Sequence, residues 1–338
     1  HVNYSCVHAH QIGLTILMFD IFVIIGPLLV TALLGYSAAK TKVFTPDQIV
    51  GLGRFLITVA IPAVLILSLS SLSITEVIDN RFLRFYLVIA LILVVLMWLV
   101  ARFVLGGSLE EAATMALAVG IPNNIIIGFP LVHQVFGDAS LPFFVAVVLI
   151  ENAILLPLAL LAFEASSNQG QLTFARFQKV GKRVLGNPII LAVLVGLACS
   201  LTGMTLPGIV VSSFELLASA VTGLALFYVG ASLVTAGGNV VENLTAAPPP
   251  KVQFAHVLSS VGMRLIGGPA LAITAIALFP LLNDVARTCL ILFCAPPCFS
   301  ILPGIAAPYG TQMLGAKIQV AGTVLSAVSL TVVMVWII

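Results

Sequence analysis

Apolar runs long enough to cross a lipid bilayer recur along the whole chain, separated by short polar breaks. A membrane helix needs about 20 mostly apolar residues. Only 8% of this chain is charged, whereas a soluble domain carries roughly a quarter charged residues. We therefore expect an all-α polytopic membrane protein that forms one unit over residues 1–338. The predicted helices cover residues 14–39, 47–72, 82–104, 111–135, 138–163, 187–205, 209–234, 253–279, 284–309 and 312–338.

The positions of Lys and Arg predict how these ten helices are oriented. With the N-terminus outside, the inner loops hold Lys40, Lys42, Arg102, Arg176, Lys179, Lys182, Arg183, Lys251 and Lys317. The outer loops hold Arg81, Arg84 and Arg287. This asymmetry predicts that both termini lie outside a plasma or inner membrane. The segment from Gly237 to Lys251, which ends in three prolines, is expected to be an exposed loop.

The overall composition excludes several classes of partner and chemistry. A net charge of +2 gives no reason to expect nucleic acid. The four cysteines in apolar segments are expected to be small core residues, and His133 and His256 stand without metal-ligand company, so no metal is predicted. The sequence holds no phosphate-binding loop and no hydrolase motif. We therefore expect no enzyme and no cofactor, with proton or sodium coupling left open.

The two halves of the chain repeat in their proline and glycine positions. Pro27, Gly35 and Pro46 recur as Pro188, Gly196 and Pro207, 161 positions later, and Thr114 and Pro122 recur as Thr288 and Pro296, 174 positions later. Five helices per half is an odd number, so the halves must be inverted relative to each other. A 5+5 inverted repeat with paired broken helices is the architecture of secondary transporters. Chance recurrence of common residues is the alternative.

Prolines should break the fourth and ninth helices near mid-membrane. Proline removes a backbone donor and clashes with the preceding turn, and backbone groups left unpaired in hydrocarbon cost several kcal/mol. Protein, water or a ligand must therefore meet each break. We predict a substrate site here, where half-helix N-termini suit an anion; kinks that only aid packing are the alternative. The predicted site residues are Pro122, Asn123, Asn124, Pro296, Pro297 and Cys298.

Charged residues within membrane helices are functional candidates by default. Glu151, followed by Asn152 in the fifth helix, is predicted to take up a proton or to bind a cation during transport. Arg264 in the eighth helix is predicted either to bind an anion or to pair with Glu151. A purely structural buried ion pair is the alternative for both.

Several short motifs, in order along the chain, resemble the auxin efflux carrier family and especially its plant PIN proteins. They are Phe44-Thr45-Pro46-Asp47-Gln48, Arg54-Phe55, Ile61-Pro62, Pro122-Asn123, Gly128, Pro130-Leu131, Gly137, Phe163-Glu164, Asn187-Pro188, Met263-Arg264, Gly268-Pro269-Ala270, Pro296 and Tyr309-Gly310. The resemblance places the chain in the bile acid:sodium symporter-like superfamily. It implies crossed fourth and ninth helices, in a fold like that of NhaA and the bile-acid symporters.

The resemblance also implies how such a protein works. Residues 14–72 and 187–234 would form a scaffold and the homodimer interface, while residues 82–163 and 253–338 would form a transport domain that moves as an elevator. The substrate would be a small organic anion, such as auxin or another carboxylate. Asn123 falls on the family's crossover asparagine, Ile61 on a residue that lines its pocket, and Asn187 on an asparagine that contacts substrate. An arginine at Arg264 need not touch substrate.

Two departures from the plant pattern leave other functions open. The stretch from Phe85 to Ala90 is apolar where the plant proteins carry an acidic and a basic residue, and Pro297-Cys298 replaces a polar pair. One alternative is a sodium-coupled symporter of the bile-acid type, with Glu151 and the asparagines as ligands. Another is a membrane sensor that binds a lipid or sterol in the same pocket without transporting it.

Overall fold

The computed structural model describes residues 26–27, 30–71, 81–166, 178, 181–182, 184–245 and 251–337, and these residues hold no β-strand longer than an isolated bridge. The all-helical prediction is therefore confirmed. Within this part of the chain, six helices are long and apolar enough to cross a membrane. The ten-helix inverted repeat stays a prediction, because residues 14–25 of the first predicted helix lie outside the described residues.

The helices follow the predicted order and are numbered along the chain. They are α1 (30–40), α2 (Pro46–Ser71), α3 (Arg81–Val104), α4a (Leu109–Gly120), α4b (Asn124–Gly128 with Phe129–Phe136), α5 (Leu141–Leu149, Ile150–Leu155 and Leu156–Ser166), α6 (Pro188–Thr202), α7 (Gly208–Thr245), α8 (Lys251–Gly262, Met263–Gly267 and Gly268–Leu278), α9a (Asp284–Phe293), α9b (Leu302–Ala306) and α10 (Gln312–Ile337).

Local sequence explains where several helices begin. Thr45 with Gln48, and Ser108 with Glu111, form capping boxes in which each side chain accepts from the other residue's backbone N–H. Asn187 caps α6 with its side-chain oxygen, and Pro188 then occupies the first helical position. These caps fix the first residues of α2, α4a and α6.

Prolines inside the long helices are accommodated by short π-helical segments. Leu56–Ala60, Asn124–Gly128, Ile150–Leu155 and Met263–Gly267 each end two positions before a proline. A proline ring clashes with the carbonyl four residues earlier, and a wider turn relieves that clash. Asn124, Glu151 and Arg264 all lie in such segments. The bends therefore coincide with the polar residues inside the bundle.

The predicted loop from Gly237 to Lys251 is wrong over its first part, because α7 continues to Thr245. Glycine costs only about 1 kcal/mol relative to alanine in a helix, so Gly237 and Gly238 do not end one. The three prolines at 248–250 lie outside the described residues.

Glycines allow α1 and α7 to approach closely. A Cβ on Gly35 would lie 2.0 Å from the Phe227 carbonyl oxygen, and one on Gly230 would lie 1.7 Å from the Ala32 carbonyl oxygen. Small residues commonly permit such contacts between membrane helices. A Cβ on Gly196 would likewise lie 2.6 Å from the Leu69 Cβ of α2, whereas Gly223 has no neighbour within 4 Å of its Cβ position.

Gly230→Ala is expected to destabilise the protein because the new methyl group would meet backbone, which cannot rotate away. Overpacking of this kind typically costs about 1–3 kcal/mol. The melting temperature of the purified protein in detergent should fall. Gly223→Ala is the matched control on the same helix: its Cβ enters open space, so it should leave the melting temperature unchanged or raise it. Equal melting temperatures for the two variants would contradict the close α1–α7 contact.

Candidate functional site

The broken helices α4 and α9 meet backbone to backbone. The Asn123 N–H donates to the Pro297 carbonyl oxygen at 2.7 Å, and the Phe299 N–H donates to the Ile121 carbonyl oxygen at 3.2 Å. Pro122 and Cys298 thus face each other in an isolated antiparallel bridge. Each break supplies partners for polar groups that the other break leaves without a helical partner.

The Asn123 side chain adds a third link across this bridge. Its Nδ2 donates to the Ser300 Oγ at 2.9 Å, and the residue is only 5% exposed. Because the Ser300 oxygen accepts this bond, its hydroxyl hydrogen stays available to another acceptor. Asn123 also precedes the first turn of α4b and makes no side-chain cap. The first amides of that half-helix therefore lack the usual capping partner.

A cavity of about 320 Å³ lies beside the bridge, between helices α2 and α6 on one side and α4, α5 and α9 on the other. Its polar wall residues are Thr58, Asn123, Glu151, Asn152, Asn187 and Ser300, and the rest are mostly aliphatic. The wall contains no Lys, Arg or His among the described residues. This volume is at the lower end of the range of about 300–1,000 Å³ for small-molecule sites.

The predicted site residues divide into two groups. Pro122, Asn123, Glu151, Asn152 and Asn187 line the cavity. Asn124, Ile61, Pro296, Pro297 and Cys298 are buried beside it and do not form its wall. Within this second group, Pro297 and Cys298 contribute their backbone to the bridge, and Asn124 contacts a wall residue.

Two asparagines continue the polar wall from α5 to α6. Asn187 accepts from the Ile189 N–H through its side-chain oxygen and directs its amide nitrogen to the Asn152 Oδ1 at 3.4 Å. Asn152 donates in turn to the Val148 carbonyl oxygen. Because its side-chain oxygen caps α6, Asn187 presents only its amide donors towards the cavity.

Tyr86, Asn124 and Glu151 form a buried hydrogen-bonded triangle behind the cavity wall. The Tyr86 hydroxyl donates to the Glu151 Oε1 at 2.5 Å, and the Asn124 Nδ2 donates to the same oxygen at 2.7 Å and to the Tyr86 hydroxyl at 2.9 Å. Sequence reasoning missed Tyr86, because it lies in a stretch that otherwise reads as lipid-facing. Its partner is 65 positions away, so no local pattern signals the contact.

Arg264 contacts the C-terminal ends of α4a and α9a, the half-helices that precede the two breaks. Its buried guanidinium donates to the Val119 carbonyl oxygen at the end of α4a at 2.6 Å, and to the Cys294 carbonyl oxygen at the end of α9a. Helix C-termini carry partial negative charge and unpaired carbonyls. Arg264 therefore caps both half-helices, and it forms no ion pair with Glu151 in the described part of the chain.

A second cavity of about 470 Å³ lies farther along α2 and α4b, bordered by α7 and the start of α5. Its polar wall residues are Ser68, Ser70, Ser71, His133, Asp138, Glu215, Ser219 and Thr222. Ala218 and Ser219 of this wall lie 161 positions after Ile57 and Thr58 of the first cavity. This is one of the two spacings at which proline and glycine positions recur in the sequence. No cluster of three or more metal-ligating side chains occurs in the residues that the structure describes.

Comparison with known proteins gives consistent matches. The sequence profile of a family described as membrane transport protein matches residues 20–334. The uncharacterized transporter YfdV of Escherichia coli K12 is 28% identical over 215 residues, which cover 61% of this chain and 67% of YfdV. Auxin efflux carrier component 3 of Arabidopsis thaliana is 31% identical over 150 residues, covering 44% of this chain and 23% of the plant protein. Component 2 from the same plant is 29% identical over 150 residues.

Proposed function

Because this chain belongs to the membrane transport protein family, the auxin efflux carriers and their relatives, we propose that it is a secondary carrier which moves a small organic anion through the cavity beside Asn123. The family resemblance read from the sequence motifs is confirmed. The family consists of transporters rather than enzymes, and the chain is an integral membrane protein. What we propose is the class of substrate, the transport mechanism and the residues that bind the substrate.

The donors around the bridge are the single observation that carries this proposal. The Ser300 hydroxyl, the Asn187 amide and the uncapped first turn of α4b all offer hydrogens towards one cavity. A helix N-terminus also carries partial positive charge. A carboxylate needs such donors, and the aliphatic remainder of the wall suits a short organic chain or a ring. Pro122 and Asn152 complete the binding surface, while Pro296, Pro297, Cys298, Ile61 and Asn124 support it from behind.

The two cavities favour an elevator mechanism. The first cavity lies between the pair α2 and α6 and the helices that carry the bridge. The second lies between the pair α2 and α7 and the continuation of those helices. Sliding the bridge along α2 would move Asn123 from one cavity towards the other, which is alternating access between related halves. We take α1, α2, α6 and α7 as the fixed scaffold of a 5+5 inverted repeat. The exposed apolar residues of α7, such as Ile209 and Leu216, suit a homodimer interface. Under the predicted orientation, with both termini outside, the first cavity opens inwards.

Uptake into liposomes tests the proposed function directly. The purified protein is reconstituted, and uptake of radiolabelled carboxylates, including indole-3-acetate and malate, is measured against empty liposomes. Thr58→Trp places a large ring in the cavity and should reduce uptake at least tenfold. Val59→Trp is the matched control, because Val59 is exposed and lies outside the cavity wall; it should transport normally.

The same assay distinguishes the alternatives. Uptake that strictly requires sodium would indicate a bile-acid-type symporter. Saturable binding without flux would indicate a sensor. Absence of both uptake and binding for every carboxylate, or equal uptake by the two tryptophan variants, would contradict the proposal.

A further inference from the structure

We propose that Glu151, held by Tyr86 and Asn124, is a proton-binding site, and that its proton crosses the membrane together with the anion. This inference rests on the proposed function, because it names the ion that accompanies the substrate. It assigns a role to Tyr86, which lies outside the cavity wall, and it identifies Asn124 as the connection between the proton site and the broken helix.

The triangle supplies donor hydrogens to Glu151 when its carboxyl group is ionised. Tyr86 donates its one hydroxyl hydrogen to Glu151, and the Asn124 amide nitrogen lies within hydrogen-bond distance of both other residues. The Glu151 Oε1 therefore accepts two bonds. Its other oxygen receives no hydrogen bond from the described part of the chain, and the side chain borders the cavity. A proton arriving through the cavity can bind that oxygen without breaking the triangle.

Charge balance requires such a proton when the substrate is an anion. Glu151 is 2% exposed and has no ion-pair partner in the described part of the chain, and an uncompensated buried charge is strongly unfavourable. Among the described residues, the cavity wall offers no basic side chain. An anion entering this space would face the carboxylate at close range, where like charges repel. Protonation of Glu151 removes the repulsion, so proton and anion reinforce each other's binding.

Within the described part of the chain, few charged or titratable groups lie around Glu151. Three groups on neighbouring helices are close enough to interact electrostatically with the carboxyl group: Tyr86 of α3, Cys294 at the end of α9a and Arg264 of α8. The nitrogens of Arg264 bond two backbone carbonyls instead of Glu151. Helix α6 presents the neutral Asn187 on this side. No group in this set supplies a permanent counter-charge in direct contact with the carboxylate.

The donor arrangement fits a proton better than a metal cation. Hard cations take several oxygen ligands, yet the groups that meet the Glu151 Oε1 are an O–H and an N–H₂. The Asn124 Oδ1 packs against Gly128, 2.3 Å from where a Cβ on that glycine would lie. This oxygen makes no hydrogen bond in the described structure. It is therefore turned away from Glu151. A sodium ion beside Glu151 would therefore have only one free carboxylate oxygen as a ligand there.

Asn124 also connects the proton site to the substrate site. It follows Asn123 directly and begins the π segment of α4b. Neutralising Glu151 weakens the charge-assisted bond from the Asn124 amide, and thus loosens the attachment of α4b to α5 and α3. The proton therefore acts on the same half-helix whose first turn meets the anion.

Infrared spectroscopy of the purified protein tests the proton site without any substrate. Difference spectra between acid and alkaline buffer should show a carboxylic acid C=O band that is absent from Glu151→Gln. Tyr86→Phe should shift the frequency of this band, because it removes a hydrogen bond to Oε1. Glu164→Gln is the matched control: Glu164 lies on the same helix, is buried, and accepts from the Tyr309 hydroxyl at 3.1 Å, but does not border the cavity. The Glu151 band should persist in this control.

Flux measurements in liposomes then test coupling with radiolabelled indole-3-acetate and malate. An imposed pH gradient should drive accumulation by the wild type and by Glu164→Gln, and the accumulation should fall at least tenfold in Glu151→Gln. An unchanged band in Glu151→Gln, equal pH-driven accumulation by that variant, or a strict need for sodium would each overturn the proposal. If no carboxylate moves in the wild type, the proposed function fails, whereas the infrared band still decides whether Glu151 binds a proton.

Discussion

Asn123→Ala is expected to reduce carboxylate uptake at least tenfold while the protein stays folded. The substitution removes the amide that positions the Ser300 hydroxyl, and it removes a polar group from the cavity wall. A hydrogen bond to a charged ligand is worth about 1.5–3 kcal/mol, so affinity should fall about tenfold to a hundredfold. Initial uptake rates in liposomes at low substrate concentration measure this loss.

The backbone of the bridge explains why folding should survive. The contacts from the Asn123 N–H to Pro297 and from the Phe299 N–H to Ile121 do not involve the asparagine side chain. Size-exclusion chromatography and the melting temperature should therefore match those of the wild type. Asn283→Ser serves as the control, because Asn283 caps α9a outside the cavity and serine is also a good cap. Normal uptake by Asn123→Ala would show that Asn123 does not belong to the substrate site.

Arg264→Leu is expected to cause the largest loss of stability among single substitutions in the bundle. Leucine leaves the Val119 and Cys294 carbonyls without a donor in a buried position. Each buried acceptor left unsatisfied costs about 1–3 kcal/mol, and the helix ends also lose a favourable cation. The melting temperature in detergent should fall sharply, together with the yield of monodisperse protein.

Two further variants make the result on Arg264 interpretable. Arg264→Lys keeps the charge but has no planar fork to reach two carbonyls at once, so its stability should lie between wild type and leucine. Arg287→Leu removes an arginine whose 3.2 Å contact is with the exposed Asp284, and surface pairs of this kind contribute little. Equal stability of Arg264→Leu and Arg287→Leu would show that the capping role is incorrect.

The broad features of the fold could be predicted because they follow from composition and local chemistry. Apolar run length predicted most of the described helix boundaries to within a few residues, with the C-terminal end of α7 as the exception, and Pro122 and Pro296 marked the two breaks. Proline alone does not separate a break from a bend, however: α2 passes Pro62 through a π segment, whereas α4a ends at Gly120 before Pro122. The difference depends on the partner backbone at Pro297, which only the tertiary structure supplies.

The candidate site was less predictable than the fold. Asn123 and Glu151 were predicted because polar residues in apolar helices need partners, and Asn187 was predicted from the family resemblance. The structure gives all three hydrogen-bond partners. Tyr86 carried no such signal, since a tyrosine is common in apolar segments. Arg264 was predicted to bind an anion or to pair with Glu151, and not to bond carbonyls at helix ends. The C-termini of α4a and α9a come together only in three dimensions, so the sequence does not signal this role.

The bridge between the two breaks has a consequence for how this protein is made. Asn123 and Ser300 are 177 positions apart, so the fourth helix enters the membrane long before its partner has been synthesised. Until then, the Asn123 N–H lacks its acceptor and the Ile121 carbonyl lacks its donor, in a medium where each unpaired group is costly. The nascent first half must therefore keep this segment hydrated, shielded by the insertion machinery, or near the interface. Completion of the fold waits for the ninth helix, so the interval between synthesis of the fourth and the ninth helix is the vulnerable period in biogenesis.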